Sequence, residues 1–211
     1  MKNPGICFAR AITCSRPIIE VNQETGQIFS LSNSHGELLP VLQLFVQSKF
    51  ISVPCSVADF DMHTDSMEFS DQEMSDQEMS NLFKLGIKGT YASWLSIGDK
   101  LGLWDKTRAF NFFPHEDYGR KPNPNYSGVT CDYAENARNY PVTDILSIDL
   151  DVFDTDPSVQ AITLSQILER IKTAKAVMLF ISSSHIRNTD KQTIVELIRQ
   201  IHDAFLAEKK S

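Results

Sequence analysis

The chain has 211 residues, and its 42% hydrophobic and 22% charged fractions are those of a soluble globular protein able to bury a core without disulfide staples, so residues 1–211 read as a single domain. A formal net charge of −7 argues against nucleic acid, whose binding rests on neutralising phosphates, and suits a cationic partner. No apolar run reaches the length of a membrane span, and the opening Met1–Cys7 has no signal-peptide pattern. Cys7, Cys14, Cys55 and Cys131 form no Cys-x-x-Cys pair, so reduced thiols in a cytoplasmic protein are expected, used mostly as core filler.

In chain order, Gly5–Ile12 and Pro17–Val21 read as short strands, Asn22–Gly26 as a turn and Gln27–Leu31 as a further strand. His35 follows. Gly36–Ser48 then carries Leu38, Leu39, Val41, Leu42 and Phe45 at helical spacing, with Pro40 tolerable in the first turn. Ile51–Ala58 is apolar and partly β-branched, as in a buried strand, with Pro54 better placed at its start than at its centre. Strand, helix and strand in succession make a βαβ unit and hence a parallel sheet.

The pentapeptide Ser70–Met74 recurs as Ser75–Met79; it is too short for a structural repeat and reads as a duplicated, solvated helix start. Asn81–Gly102 reads as helical segments broken at Gly86 and Gly98, with Trp94 assigned to the core. Thr107–Phe113 is the next strand and delivers His115, Glu116 and Asp117 at its end. The irregular Tyr118–Tyr126 stretch is a candidate lid or substrate-reading loop. A strand at Asp144–Asp154, an amphipathic helix at Leu164–Thr173, a strand at Ala176–Ile181 and a helix at Lys191–Lys209 complete the chain.

Two of these strands finish in acids. Asp61, His63 and Asp65 alternate after the first, and Asp149 and Asp151 alternate at the end of the second. In extended chain alternate side chains share a side, so each run aims its ligand-type groups at one point. A single such run is equally a solvated acidic loop. Two are hard to explain by packing, because close carboxylates repel unless a cation or proton separates them. The set offers one imidazole and four carboxylates, whose charge balances two divalent cations. Oxygen-dominated ligation without thiolate favours a hard ion, Mn²⁺ best.

Asp-x-His-x-Asp followed by Ser-x-Asp-x-Asp-x-x-Asp resembles the paired signature of the arginase and agmatinase (ureohydrolase) superfamily, and Ser32–Pro40 resembles its upstream histidine segment. The chain is particularly similar to the short branch that includes peptide arginases, which convert arginine side chains of ribosomally made precursor peptides to ornithine. The resemblance runs from about Ile28 to Ser184. It implies a three-layer α/β/α fold with a mainly parallel sheet, arginase- and deacetylase-like, and two Mn²⁺ per chain. It further implies His35, Asp61, Asp65 and Asp149 on one ion and Asp61, His63, Asp149 and Asp151 on the other. Water activated between them would attack a guanidinium carbon, Asp65 relaying a proton to the departing amine, with urea as the second product.

The departures are specific. Arginases carry a guanidinium-binding glutamate where this chain has Ser182-Ser183, and a proton-shuttling histidine that is missing between Ser66 and Ser80. His115, taken as the leading catalytic substitute, stands beside Glu37, Glu116, Asp117 and His185 as candidates. No residues map to the α-amino and α-carboxyl contacts of free arginine, so an arginine-containing peptide is the expected partner; self-association is left open. Asp154 is expected to hold hydrogen bonds behind the ligands. The competing readings are a single-zinc deacetylase-like amidohydrolase, against which His35, Asp65, Asp151 and the absent His-His dyad argue, and a non-catalytic metal-holding protein.

Overall fold

The computed structural model describes residues 17–63, 94–114, 129–182 and 185–207. Among the described residues, seven strands form one sheet in the order β1-β2-β7-β6-β3-β4-β5: β1 (Ile18–Val21), β2 (Ile28–Ser32), β3 (Cys55–Phe60), β4 (Trp104–Phe113), β5 (Thr130–Tyr133), β6 (Ile145–Asp149) and β7 (Ala176–Phe180). Only the edge pairing β1–β2 is antiparallel; the rest are parallel. The central strands β2, β3, β6 and β7 are buried along their whole length, which is why they read as continuous apolar runs and not as alternating ones.

Helices cover both faces, α1 (Leu38–Gln47) and α2 (Trp94–Lys100) on one and α3 (Pro157–Ile171) and α4 (Lys191–Leu206) on the other. The first core packs Leu38, Leu42, Phe45 and Trp94 against Ile28, Val57 and Met178; the second packs Ile167, Leu197, Ile201 and Phe205 against Phe29, Leu146 and Val177. This is the expected three-layer α/β/α architecture. β2, α1 and β3 do form a parallel βαβ unit, but β7 and β6 are inserted between its strands. That insertion brings the carboxyl ends of β2, β7, β6 and β3 side by side, in the crevice where open α/β sheets place their sites.

Several boundaries differ from the sequence reading, each for a local reason. β3 starts at Cys55, immediately after Pro54, because proline cannot donate to a ladder. β4 starts earlier than expected, at Trp104. α3 starts at Pro157, ahead of the apolar periodicity: Asp156 accepts hydrogen bonds from the backbone N–H groups of Ser158 and Val159, and Pro157 occupies the first turn. Gly98 lies inside α2 and does not break it. A Cβ there would sit 2.0 Å from Nε1 of Trp104, so glycine is needed for the helix to approach β4. β5, a short half-exposed edge strand, was not foreseen.

The expected strand at 5–12, the tandem pentapeptide, the 81–93 segment and the 118–126 loop lie outside the described residues, as do Asp65 and His115. Among the described residues, no helix is long and apolar enough to cross a membrane.

Candidate metal centre

Every described residue of the expected ligand set lies at the carboxyl edge of the sheet. His35 opens a short 3₁₀ turn after β2, Asp61 follows the last residue of β3, His63 stands two residues on in a bend, and Asp149 ends β6. Asp151 is not carried by extended chain. Beyond Asp149 the backbone turns into a 3₁₀ helix, Leu150–Phe153, and the Asp149 side chain accepts from the Asp151 N–H. Strict alternation therefore ends at each strand's last residue, and the ligand-type groups fall into two clusters.

The inner cluster is His35, Asp61 and Asp149, all buried. His35 Nδ1 lies 2.9 Å from Asp61 Oδ2 and 3.4 Å from Asp149 Oδ2. Its other nitrogen, Nε2, is 2.9 Å from Ser147 Oγ and 3.4 Å from Asp59 Oδ1. The ring is packed between Phe180, at a centroid distance of 4.6 Å, and Trp94, at 5.1 Å. One nitrogen is thus aimed at a carboxylate pair while the other is anchored, the arrangement in which outer partners fix a ligating imidazole's tautomer and orientation. Ser182 donates to Asp149 Oδ2 at 2.5 Å from a backbone φ of 38°, a left-handed conformation uncommon for a non-glycine residue.

The outer cluster is His63, Asp151 and His185. His63 Nδ1 is 2.9 Å from Asp151 Oδ2 and 3.3 Å from Asp61 Oδ1; His185 Nδ1 is 3.8 Å from Asp151 Oδ2. Asp61 therefore reaches both clusters, Oδ2 toward His35 and Oδ1 toward His63. Asp149 stays with the inner group, its Oδ1 accepting the Asp151 N–H. Asp154 faces away from both. It accepts from the backbone N–H groups of Arg187, Asn188 and Thr189 and from the Thr189 hydroxyl, and so pins the segment that follows β7. Burial pulls its carboxyl up, but these donors outweigh burial and hold it below the usual range.

The electrostatics are those of crowded, dehydrated acids. Burial pushes Asp59 up to about 6, opposed by the His35 ring. Burial and the Asp151 charge push Asp149 up to about 6. Asp151 is raised by burial and by Asp61, and opposed by His63. Hydrogen bonding to Asp151 and then Asp61 pushes His63 up to about 10. Among the described residues, the charged groups facing Asp59, Asp61, Asp149 and Asp151 are imidazoles. Asp151 Oδ2 is buried, and its nearest polar partner among the described residues is His63 Nδ1 at 2.9 Å. Four buried carboxylates with so few cationic partners are costly unless bound cations complete the site, and two sets of oxygen and imidazole donors fit divalent ions.

Asp59, Ser147 and Ser182 were missed from sequence. The signal for the first two was present, since Asp59 stands two before Asp61, and Ser147 two before Asp149, inside the same strands. No comparable signal marks Ser182.

An open, mainly parallel sheet with helices on both faces and acid–imidazole clusters at its carboxyl edge defines an arginase-like α/β protein. Three solved structures carry that fold. Proclavaminate amidino hydrolase from Streptomyces clavuligerus matches with a TM-score of 0.52 at 15% identity, over 83% of this chain and 61% of that one. Formimidoylglutamase from Bacillus subtilis matches with a TM-score of 0.53 at 10% identity, over 85% and 61%. The agmatine ureohydrolase of Thermoplasma volcanium matches with a TM-score of 0.50 at 13% identity, over 83% and 61%. The chain thus spans about three fifths of the length of the structures it matches. No protein-family model and no curated protein matches the sequence.

Proposed function

We propose that the chain is a metal-dependent hydrolase of amidino groups, acting on arginine side chains within a peptide. It would add water across the guanidinium C–N bond to leave an ornithine side chain and urea. The observation that carries this reading is Asp61, whose two carboxylate oxygens face separate imidazole-bearing clusters, one toward His35 and one toward His63. A bridging carboxylate between two ligand sets is what a binuclear centre needs, and a one-ion deacetylase-like site has no use for the second set. Three solved structures of the same fold named as an amidino hydrolase, a formimidoylglutamase and a ureohydrolase favour the reaction class.

His35, Asp61 and Asp149 would hold one ion, with Asp61, His63 and Asp151 holding the other; Mn²⁺ suits the oxygen-rich donors. Bound there, divalent ions supply Lewis acidity that lowers the pKa of water and neutralises developing charge. The chain's own residues do the positioning. Phe180 and Trp94 fix the His35 ring, Ser147 and Asp59 anchor its far nitrogen, and Ser182 holds Asp149. Asp65 is assigned the proton relay to the leaving amine and a share of the inner ion, and His115 a supporting acid–base role. A net charge of −7 favours a cationic peptide, an attraction that salt weakens. Without contacts for a free amino acid's α-groups, binding energy would come from the peptide backbone.

The test compares kcat/KM for urea release from free arginine, a short blocked arginine peptide and a long one. Preference for the peptides is expected. Equal or better turnover of free arginine overturns the peptide substrate and leaves the amidino-hydrolase assignment standing; no urea from any of them removes both.

A further inference from the structure

We propose that His185 is a protein ligand of the outer ion, so that this ion is held by two imidazoles, His63 and His185, together with Asp151 and Asp61. The inference rests on the two-ion reading above and adds a ligand to it. The geometry comes first. One ligand atom from each of His63, Asp151 and His185 lies within 4.8 Å of the others, and His185 Nδ1 is 3.8 Å from Asp151 Oδ2. Atoms bound at about 2.0–2.2 Å to one ion must lie within about 4.4 Å of each other, so a small rotation of His185 suffices. The two rings are 5.1 Å apart between centroids and tilted by 57°, so they are neighbours that do not stack.

A second observation points to a missing ligand. Asp151 is 1% exposed, and the described groups nearest its Oδ2 are two imidazole nitrogens, His63 Nδ1 at 2.9 Å and His185 Nδ1 at 3.8 Å. A buried carboxylate needs compensating charge, and an ion between this oxygen and the two imidazoles would supply it.

A third observation concerns position. His185 sits at the start of the segment pinned by Asp154, and its own N–H donates to Ser182 O at 2.8 Å. Asp154 lies three residues beyond Asp151, at the end of the same 3₁₀ turn. One turn therefore supplies both a carboxylate of the outer cluster and the clamp that holds His185 opposite it. With His185 included, the outer set is richer in nitrogen than the inner one, so borderline ions such as Co²⁺ and Zn²⁺ should favour it.

The test is calorimetric titration of the metal-free full-length chain with Co²⁺, followed also by the visible absorption of the bound ion, for the wild type, His185→Ala and His185→Gln. His185 is 42% exposed, so both variants should fold as the wild type does. Loss of an outer partner alone typically weakens a metal about 10–100-fold, so removal of a direct ligand should weaken one of the two Co²⁺ ions at least tenfold and alter its absorption bands, leaving the other ion unchanged. Two ions with unchanged affinity and spectrum in both variants would overturn the assignment of His185 alone. A wild type that takes up no second ion would remove the two-ion reading and this ligand with it.

Discussion

The two clusters share Asp61 but are built in opposite ways. Around the inner one, strands β3 and β6 supply Asp59, Asp61, Ser147 and Asp149 from fixed register, and two aromatic rings hold the imidazole. His35 is 2% exposed. Around the outer one, a bend, a 3₁₀ turn and a clamped segment supply the ligand-type groups, and His63 and His185 are 31% and 42% exposed. The inner cluster is preorganised by the sheet, so its geometry follows from the core. The outer cluster is open to solvent and thus to substrate, and its geometry follows from turns. Sites on regular elements are held more exactly than sites on loops, so the inner group should set stability and the outer group should set reactivity.

The largest expected effect comes from the residue common to both. Asp61→Ala should abolish metal uptake at both clusters and all urea release, read by elemental analysis beside a urea assay; retention of one full ion would mean that Asp61 joins nothing.

Next comes His35→Ala, which removes an inner ligand and leaves a hole between Phe180 and Trp94. It should cost about 2–4 kcal/mol in denaturant unfolding as well as the inner ion, whereas His63→Ala, at a half-buried ring that fills no core space, should cost less in the metal-loaded protein. Equal losses in the two variants would erase the contrast between a sheet-built and a turn-built cluster.

Smaller, and opposite in sign for stability, is Asp59→Asn. In chelator-treated protein, Asp59 and Asp149 have folded values of about 6 against an ordinary 3.8, so their contribution is complete below pH 3.8 and lost as pH rises through about 6. His63, raised from 6.5 to about 10, adds stability below pH 6.5 that is lost as pH passes about 10. The metal-free chain should therefore weaken steadily with rising pH, and metal should stabilise it more at pH 8 than at pH 5. Asp59→Asn should flatten the first part of that decline while weakening the inner ion about 10–100-fold. A melting curve that improves with pH in the metal-free wild type would contradict this account of the site.

The smallest effect is expected at Gly98. Gly98→Ala would place its Cβ against the Trp104 ring and not against a ligand-type group, so it should lower stability by about 1–3 kcal/mol with metal content unchanged. A change in metal stoichiometry there would show that α2 and the clusters are coupled.

Asp61 and Asp149 were legible in sequence because they stand at the ends of apolar runs that announce buried parallel strands; Asp59 and Ser147 carry the same period two inside those strands but were passed over. Of the outer half, His63 and Asp151 were expected as ligands, whereas His185 stood only among candidates for a substitute catalytic role. Asp151 reaches its place through a 3₁₀ turn and His185 through a clamp on Asp154, and neither turn leaves a periodic trace. The same limit explains the fold's surprises. The insertion of β7 and β6 between β2 and β3 is a long-range choice of neighbours, and the Gly98–Trp104 approach depends on a strand that the glycine's own surroundings do not reveal.

The most direct test of the central claim is the number of divalent ions per chain, measured by elemental analysis after Mn²⁺ loading, in the wild type and in His63→Ala. Two clusters joined by Asp61 predict two ions in the wild type and one in the variant, the survivor belonging to His35, Asp61 and Asp149. One ion in both proteins would contradict the binuclear centre.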